Sequence, residues 1–424
     1  MTSYRTLARN RDFTVLWLGE TVNELGSRMS MFVFPLLAYA ITGSAAHAAV
    51  AEFAFLLGNA VALLPGGILA DRVDRRLVML TASASGVLLY GVLALAVAGG
   101  WATLPLISGV GLLTGLGAGA FAPAQMSAIR AVVSDEELPT ALSQNQARQH
   151  VAGLVGGPLG GALFGVARWL PFAVDAVTFT ISCLSLSRIR TDLRPEPRVV
   201  PRGRVRADLA EGFAFIWARA FFRVLMVWAA SANIVINALF FVVVLRLMQA
   251  GFHPAEIGLV ETAAGLGGLT GAMLAPYLID RLPTGWLTIC VSWAFTPLLV
   301  PLVLWTHPLV AAAALFTGLL LNPAGNAGIG AYRMAVTPPE LQGRVASASQ
   351  FLSMAGMPLA PLVGGWLLQE YGGAQATVVL AILTALVALL PTCSRAIRSV
   401  PRPRDWPKLE VANEVAEPQP APAA

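Results

Sequence analysis

Charge is scarce in this chain. Asp, Glu, Lys and Arg make up 12% of its 424 residues, about half the ~25% of an ordinary soluble domain. So few charges exclude a water-covered globular surface. Lysine is almost missing, with Lys408 alone near the end. A phosphate-cradling loop needs a Gly-Lys-Ser/Thr step, so no nucleotide-binding motor is expected, and uphill work would draw on an ion gradient or a partner. The three cysteines (Cys183, Cys290, Cys393) and four histidines (His47, His150, His253, His307) are dispersed. They give neither a disulfide framework nor metal-ligand spacing, so no metal or cofactor is expected. No nucleophile, base and orienting group stand together, which argues against an enzyme. Nor is a nucleic-acid partner expected. No small-residue cleavage site follows the first apolar run, so no signal peptide is expected.

Apolar residues are what the chain has, at 56%. They gather in twelve runs, at about 13–41, 48–70, 77–99, 104–130, 141–167, 169–188, 222–248, 255–279, 286–305, 308–332, 345–369 and 375–393. Each approximates the ~20 residues that cross ~30 Å of hydrocarbon. Without water in the bilayer core the backbone must bond to itself, so the runs must be helical. The expected fold is an all-α polytopic membrane protein with twelve transmembrane helices in two six-helix halves. Arg crowds the N-terminus, the alternate loops and the tail, while the opposite loops hold essentially Arg168. The positive-inside rule then places both termini in the cytoplasm and the protein in the inner membrane.

The organisation read from this is a cytoplasmic N-terminus (1–12), a first half (13–188), an Arg- and Pro-rich central loop (189–221), a second half (222–393) and a disordered tail (394–424). The halves repeat. Glu137-Leu138, Gly153, Pro158 and Gly161 return as Glu340-Leu341, Gly356, Pro361 and Gly364 at a constant offset of 203. Asp71-Arg72 returns as Asp280-Arg281. Repeated halves suit a carrier that binds its cargo between them near the midplane.

The segment Gly67-Ile-Leu-Ala-Asp71-Arg72-Val-Asp74-Arg75-Arg76 resembles the loop 2–3 signature of the major facilitator superfamily. Asp12-Phe13 with Trp17 and Gly19, Asp135-Glu136-Glu137-Leu138-Pro139 and Glu340-Leu341-Gln342-Gly343-Arg344 are similar to an exporter branch that includes enterobactin and macrolide-type efflux proteins. The resemblance implies alternating access, with the Gly67, Asp71, Arg72, Arg75 and Arg76 cluster, and Asp280 and Arg281 in the second half, latching the outward-facing state at the cytoplasmic side. Asp74 stands where that signature usually has glycine. Gly153, Gly157, Pro158 and Gly161 resemble the span-five motif of drug/proton exchangers, with the paired glycines one position early. The span-four arginine of the best-known exchangers has no counterpart in Gly109–Gly119.

Ionisable groups inside spans are costly and default to function. Glu20, Glu24 and Arg28 share one helix face at i, i+4 spacing. Arg28 pairs most simply with Glu24, leaving Glu20 free to exchange a proton; the alternative is a closed network that only locks helices together. Asp175, in an apolar setting, is the other proton-coupling candidate. Arg246 is expected to pair with Glu256 or Glu261 at the outer gate, and Glu52 lies near that level. Asn23, Gln125, Asn233, Asn237, Asn322 and Asn326, with Tyr332 a weaker candidate, read as cavity or substrate groups, though amides also join helices. The expected function is export of small amphipathic or lipophilic organic molecules, by proton antiport, as a monomer. A dedicated siderophore or natural-product exporter, or a proton-coupled importer, stays open.

Overall fold

The computed structural model describes Leu7, residues 9–194 and residues 204–406. Span one is Arg11–Thr42, opened by Asn10, whose side chain accepts from the Phe13 N–H, and closed by Gly43 at φ 67°. That left-handed conformation is one glycine adopts without steric cost. Spans two to six are Ala45–Arg72, Arg75–Ala98, Leu104–Val132, Leu138–Val166 and Leu170–Ser187. A connecting helix, Arg204–Ala218, leads to spans seven and eight at Ala220–Gln249 and Pro254–Arg281. Spans nine and ten occupy Thr284–Leu304 and Pro308–Ala335.

Among the described residues, 10 stretches are long and apolar enough to cross a membrane. Two features raise the number of crossings to twelve. Span five is diluted by Gln144, Asn145, Gln146, Arg148 and Gln149, yet it packs along spans one and eight over its 29 residues. The last stretch, Gln342–Cys393, has 52 residues. At ~1.5 Å per residue it would be about 78 Å long, far beyond one crossing. It folds back near Gly372, whose φ of 77° and ψ of 171° are not helical. Gly364 lies against Ala238 on the way out, Gly373 and Thr377 meet Arg246 at the far end, and Thr384 returns to the level of Asn233. Spans eleven and twelve are the two arms.

We call inner the end that carries Asn10 and Arg395, and outer the opposite one. One large apolar core fills the outer side and is continuous across both halves, joining Phe32–Ala38, Ala45 and Ala49 to Val235, Leu239, Val242, Ile257 and Leu367. On the inner side the cores are separate: Phe13, Leu16, Val78 and Ile129 pack in the first half, and Phe222, Leu225, Ile329 and Val345 in the second. The halves are therefore shut at the outer end and parted at the inner end.

Three segments read as loop or tail are folded: the helix Arg204–Ala218 within the central loop, residues 189–194 and residues 394–406. Residues 189–194 strap spans one and three together: Asp12 Oδ2 accepts from Thr191 N–H and Oγ1, both at 2.7 Å, and Arg76 Nη2 donates to the Thr191 carbonyl at 2.8 Å. The expectation of disorder from residue 394 is corrected for 394–406. Ile397 is buried, the Val400 and Pro401 carbonyls accept from the Gly285 and Thr284 N–H groups that begin span nine, and Trp406 stacks edgewise on Tyr332 at 5.4 Å. An unpaired helix N-terminus is satisfied there by the returning chain. Arg198 and Arg202 of the central loop, and residues 407–424 of the tail, lie outside the described residues.

Candidate functional site

The first half holds a buried polar network centred on Glu20, which is only 2% exposed. Its Oε2 accepts from Gln125 Nε2 at 3.1 Å and its Oε1 from Ser182 Oγ at 2.8 Å, and Ser182 Oγ lies 3.1 Å from Ser83 Oγ. Asn23 is a further neighbour, one helical turn on. Gln125 and Asn23, read as cavity groups, instead hold Glu20. Span five contributes Arg148, 5% exposed, which donates to Asn145 Oδ1 at 2.7 Å, acts electrostatically on Glu20 and Glu24, and keeps a buried Nε without a partner. Span five thus places a buried cation near Glu20 and Glu24. Sequence reading passed over it, although its place seven residues into an apolar run was the available signal.

Asp175, at 0% exposure, accepts from Thr178 Oγ1 at 2.8 Å through Oδ1; Oδ2 makes no well-formed hydrogen bond, and Ser30 of span one is the polar neighbour beside the carboxyl. Span one approaches it through Gly26, where a Cβ would stand 2.4 Å from Asp175 Oδ1. Tyr90 faces the same carboxylate and stacks between Phe172 and Phe179. A half-satisfied carboxyl in an apolar surround is a group for which taking up a proton changes local bonding.

Arg28 Nε lies 2.9 Å from Glu24 Oε1, and the arginine is 43% exposed although it sits mid-span. A charged group placed so must face a water-filled cavity. Glu261 of span eight stands near Arg28 and Glu52, against Gly157. The expected Arg246–Glu256 or Arg246–Glu261 pairs do not form. Glu256 instead accepts from the His253 N–H in a capping box. Arg246 donates to the Leu302 carbonyl and Thr377 Oγ1 at 2.6 and 3.0 Å, and to Thr306 Oγ1 at 2.7 Å. Those partners all belong to the second half. Arg246→Met is therefore expected to lower stability by roughly 2–4 kcal/mol while leaving the balance between inner- and outer-open forms unchanged. A thermal unfolding scan and a label-distance measurement on the same preparation would check this.

The second half holds a cavity of about 240 Å³ lined by Trp228, Asn233, Ser292, Phe295, Asn322, Asn326 and Thr384 among others, with no charged group. Spans nine and ten are interrupted beside it, at the 3-10 turn Thr296–Leu298 and just before Asn322-Pro323. Discontinuous helices of this kind free backbone groups where a carrier binds its cargo. Asn326 Nδ2 donates to Asn322 Oδ1 at 2.7 Å, and Asn233 Nδ2 to the Ser353 carbonyl at 3.1 Å. Asn237 turns back onto the Asn233 carbonyl of its own helix and does not line the cavity. Tyr332 also stands apart, between Phe221 and Trp406 at the inner end.

Glycines on span five set the contact between halves. Gly156 and Gly160 meet Arg28 and Met29 of span one, and Gly157 and Gly161 meet Gly258 and Pro254 of span eight. Gly153, placed in the motif by spacing, faces open space. The repeat-related surface brings Gly365 of span eleven against Ala45 and Ala49 of span two. At the inner hinge, Asp74 caps span three through the Arg76 N–H, Arg75 Nε donates to the Ala70 carbonyl and Arg281 lies over the Tyr277 ring at 4.0 Å. Asp71, Arg72 and Asp280 form no hydrogen bond or ion pair among the described residues, and a Cβ on Gly67 would meet open space.

Sequence comparison matches residues 16–253 and 232–422 to the Major Facilitator Superfamily. The multidrug efflux pump Tap of Mycolicibacterium fortuitum is 28% identical over 369 residues, 82% of this chain and 87% of the pump. Among solved structures, a bacterial homologue of the human lysosomal transporter Spinster superposes with a TM-score of 0.72 at 16% identity, covering 94% of this chain and 98% of that one. A bacterial homologue of the iron transporter ferroportin gives 0.68 at 16% identity, covering 92% and 99%.

Proposed function

Because the chain belongs to the major facilitator superfamily, and is thus a membrane transporter and not an enzyme, we propose that it exports small amphipathic or lipophilic organic molecules in exchange for protons. The observation that carries this reading is a division between halves. The buried carboxyls Glu20 and Asp175 lie in the first half, and the uncharged aromatic-and-amide cavity lies in the second. A cargo bound among Trp228, Phe295 and the asparagines needs no fixed charge, while a proton bound at Glu20 changes the bonding to Ser182 that holds span one to span six. Span one also carries Arg28 and Met29 against Gly156 and Gly160, so protonation is transmitted to the interface. The relative Tap, a multidrug efflux pump, supports the direction and breadth of transport. Both termini then lie in the cytoplasm of the inner membrane, as the basic loops require, and the inner-open arrangement is the loading state.

Accumulation of a panel of dyes and antibiotics in an efflux-deficient bacterial host tests this. Wild-type protein should lower accumulation, and a protonophore should remove the effect. Glu20→Gln and Asp175→Asn should each cut uphill export by about a hundredfold or more, the range in which proton-transferring side chains act. Well-expressed protein that changes nothing in the panel would sink broad export in favour of a dedicated natural-product carrier or an importer.

A further inference from the structure

We infer that the Thr262 hydroxyl and the Leu154 carbonyl form a latch between the halves that exists only while the outer side is shut, a positioning contact for the rocking cycle. The inference rests on the alternating-access reading above. Pro158 has no N–H, so the carbonyl four residues before it, on Leu154, lacks the helical donor it would otherwise have. A bare carbonyl in a membrane interior is costly. Here it accepts from Thr262 Oγ1 of span eight, in the opposite half, at 2.6 Å.

Two comparisons within the chain show that this bond is particular. Pro35, Pro65, Pro123, Pro276 and Pro391 also lie inside spanning helices. Among the described residues, none of the carbonyls they free is met by a side chain from the other half. Five threonines in the other spans bond the carbonyl four residues back in their own helix: Thr21 to Trp17, Thr42 to Ala38, Thr288 to Thr284, Thr384 to Leu380 and Thr392 to Ala388. That is the usual habit of a hydroxyl in a helix. Thr262 forgoes its own such acceptor, Gly258, and reaches across instead.

The surroundings leave little room for water to replace it. A Cβ on Gly258 would stand 2.4 Å from the Gly157 carbonyl oxygen, and one on Gly265 would stand 2.6 Å from Leu154 Cδ2. Backbones touch on one side of the bond and a side chain fills the other. When the halves part at the outer end, water reaches the Leu154 carbonyl and Thr262 falls back on Gly258. The hydroxyl thus has one acceptor in each state, and the proline is what makes the cross-half acceptor available.

The test measures spin-label distances in purified full-length protein in lipid nanodiscs, in a background with Cys183, Cys290 and Cys393 replaced by serine. One label pair sits at the outer ends (positions 101 and 309) and one at the inner ends (135 and 340). Thr262→Val keeps the branched shape and removes the hydroxyl. It should move the population toward the outer-open form by on the order of tenfold, the effect of leaving one buried acceptor unsatisfied. Thr262→Ser should keep the wild-type distances. Pro158→Ala restores the N–H to Leu154, so adding Thr262→Val to it should shift nothing further. Gly258→Leu, which pushes the backbones apart, serves as the control for rocking. If Gly258→Leu opens the outer pair but Thr262→Val does not, the latch is overturned and rocking stands. A shift from Thr262→Val that is equally large on the Pro158→Ala background would also overturn it. If Gly258→Leu moves neither pair, the rocking reading falls and the latch with it.

Discussion

Leucine in place of Gly161 is expected to cut transport by about tenfold or more, whereas the same change at Gly153 should leave it within roughly twofold of wild type. Both glycines sit on span five and both fit the exchanger motif by spacing. Only Gly161 touches the other half: a Cβ there would stand 2.2 Å from the Pro254 carbonyl oxygen, while one on Gly153 meets nothing within 4 Å. The obstacle is backbone, which cannot rotate aside as a side chain can. Overpacking of this kind costs ~1–3 kcal/mol even where neighbours adjust, and each ~1.4 kcal/mol is a factor of ten in an equilibrium. The cost falls only on the outer-shut state, because the contact is absent once the halves part there. Gly161→Leu should therefore run normally on a sizing column, favour the outer-open form and fail to reload cargo from the cytoplasm. Gly365→Leu should behave alike, since it meets the Ala45 carbonyl and Ala49 Cβ on the repeat-related surface. Transport in vesicles, beside the monodispersity of each variant, decides the matter. Wild-type transport by Gly161→Leu, or equal loss from Gly153→Leu, would sink the idea that these contacts set the outer gate.

That contrast shows where sequence stopped being informative. The spans were legible because hydrocarbon accepts only long apolar helices, and the repeat was legible because both halves keep Glu-Leu and Gly-Pro-Gly at one offset. Which glycine meets which helix was not legible. Gly156 and Gly160 share one face and Gly157 and Gly161 the next, about 100° around a helix of 3.6 residues per turn. Both i, i+4 pairs look the same on paper, and only the packed neighbours, span one or span eight, tell them apart. Arg246 misled for a related reason. Carboxylates near the outer end of span eight suggested an ion pair, but carbonyls where span nine ends its helix offered closer acceptors. The Thr262 bond depends on a contact between halves that one state makes and the other breaks, so no pattern along the chain announces it.

Arg148→Met should both destabilise the protein and abolish proton-coupled export, and Glu20→Gln in the same chain should restore the first without restoring the second. Arg148 is buried on span five with Asn145 as its hydrogen-bonded neighbour, and Glu20 and Glu24 are its electrostatic partners. Removing the cation leaves these carboxyls without its compensating charge, which should cost on the order of 1–3 kcal/mol. Taking the charge from Glu20 as well should recover much of that loss, because the new amide's oxygen can still accept from Gln125 while its NH2 donates to Ser182 Oγ. The doubly changed protein keeps the cavity of Asn233, Asn322 and Asn326 intact, so it should still exchange cargo down its own gradient. It should not accumulate cargo against a gradient when a proton gradient is imposed. Thermal unfolding, counterflow and gradient-driven uptake in inside-out vesicles separate these three outcomes. A double variant no more stable than Arg148→Met would mean the two charges are not coupled. A double variant that still pumps uphill would move the proton site away from Glu20, leaving Asp175, whose Oδ2 makes no well-formed hydrogen bond, as the group that couples the cycle.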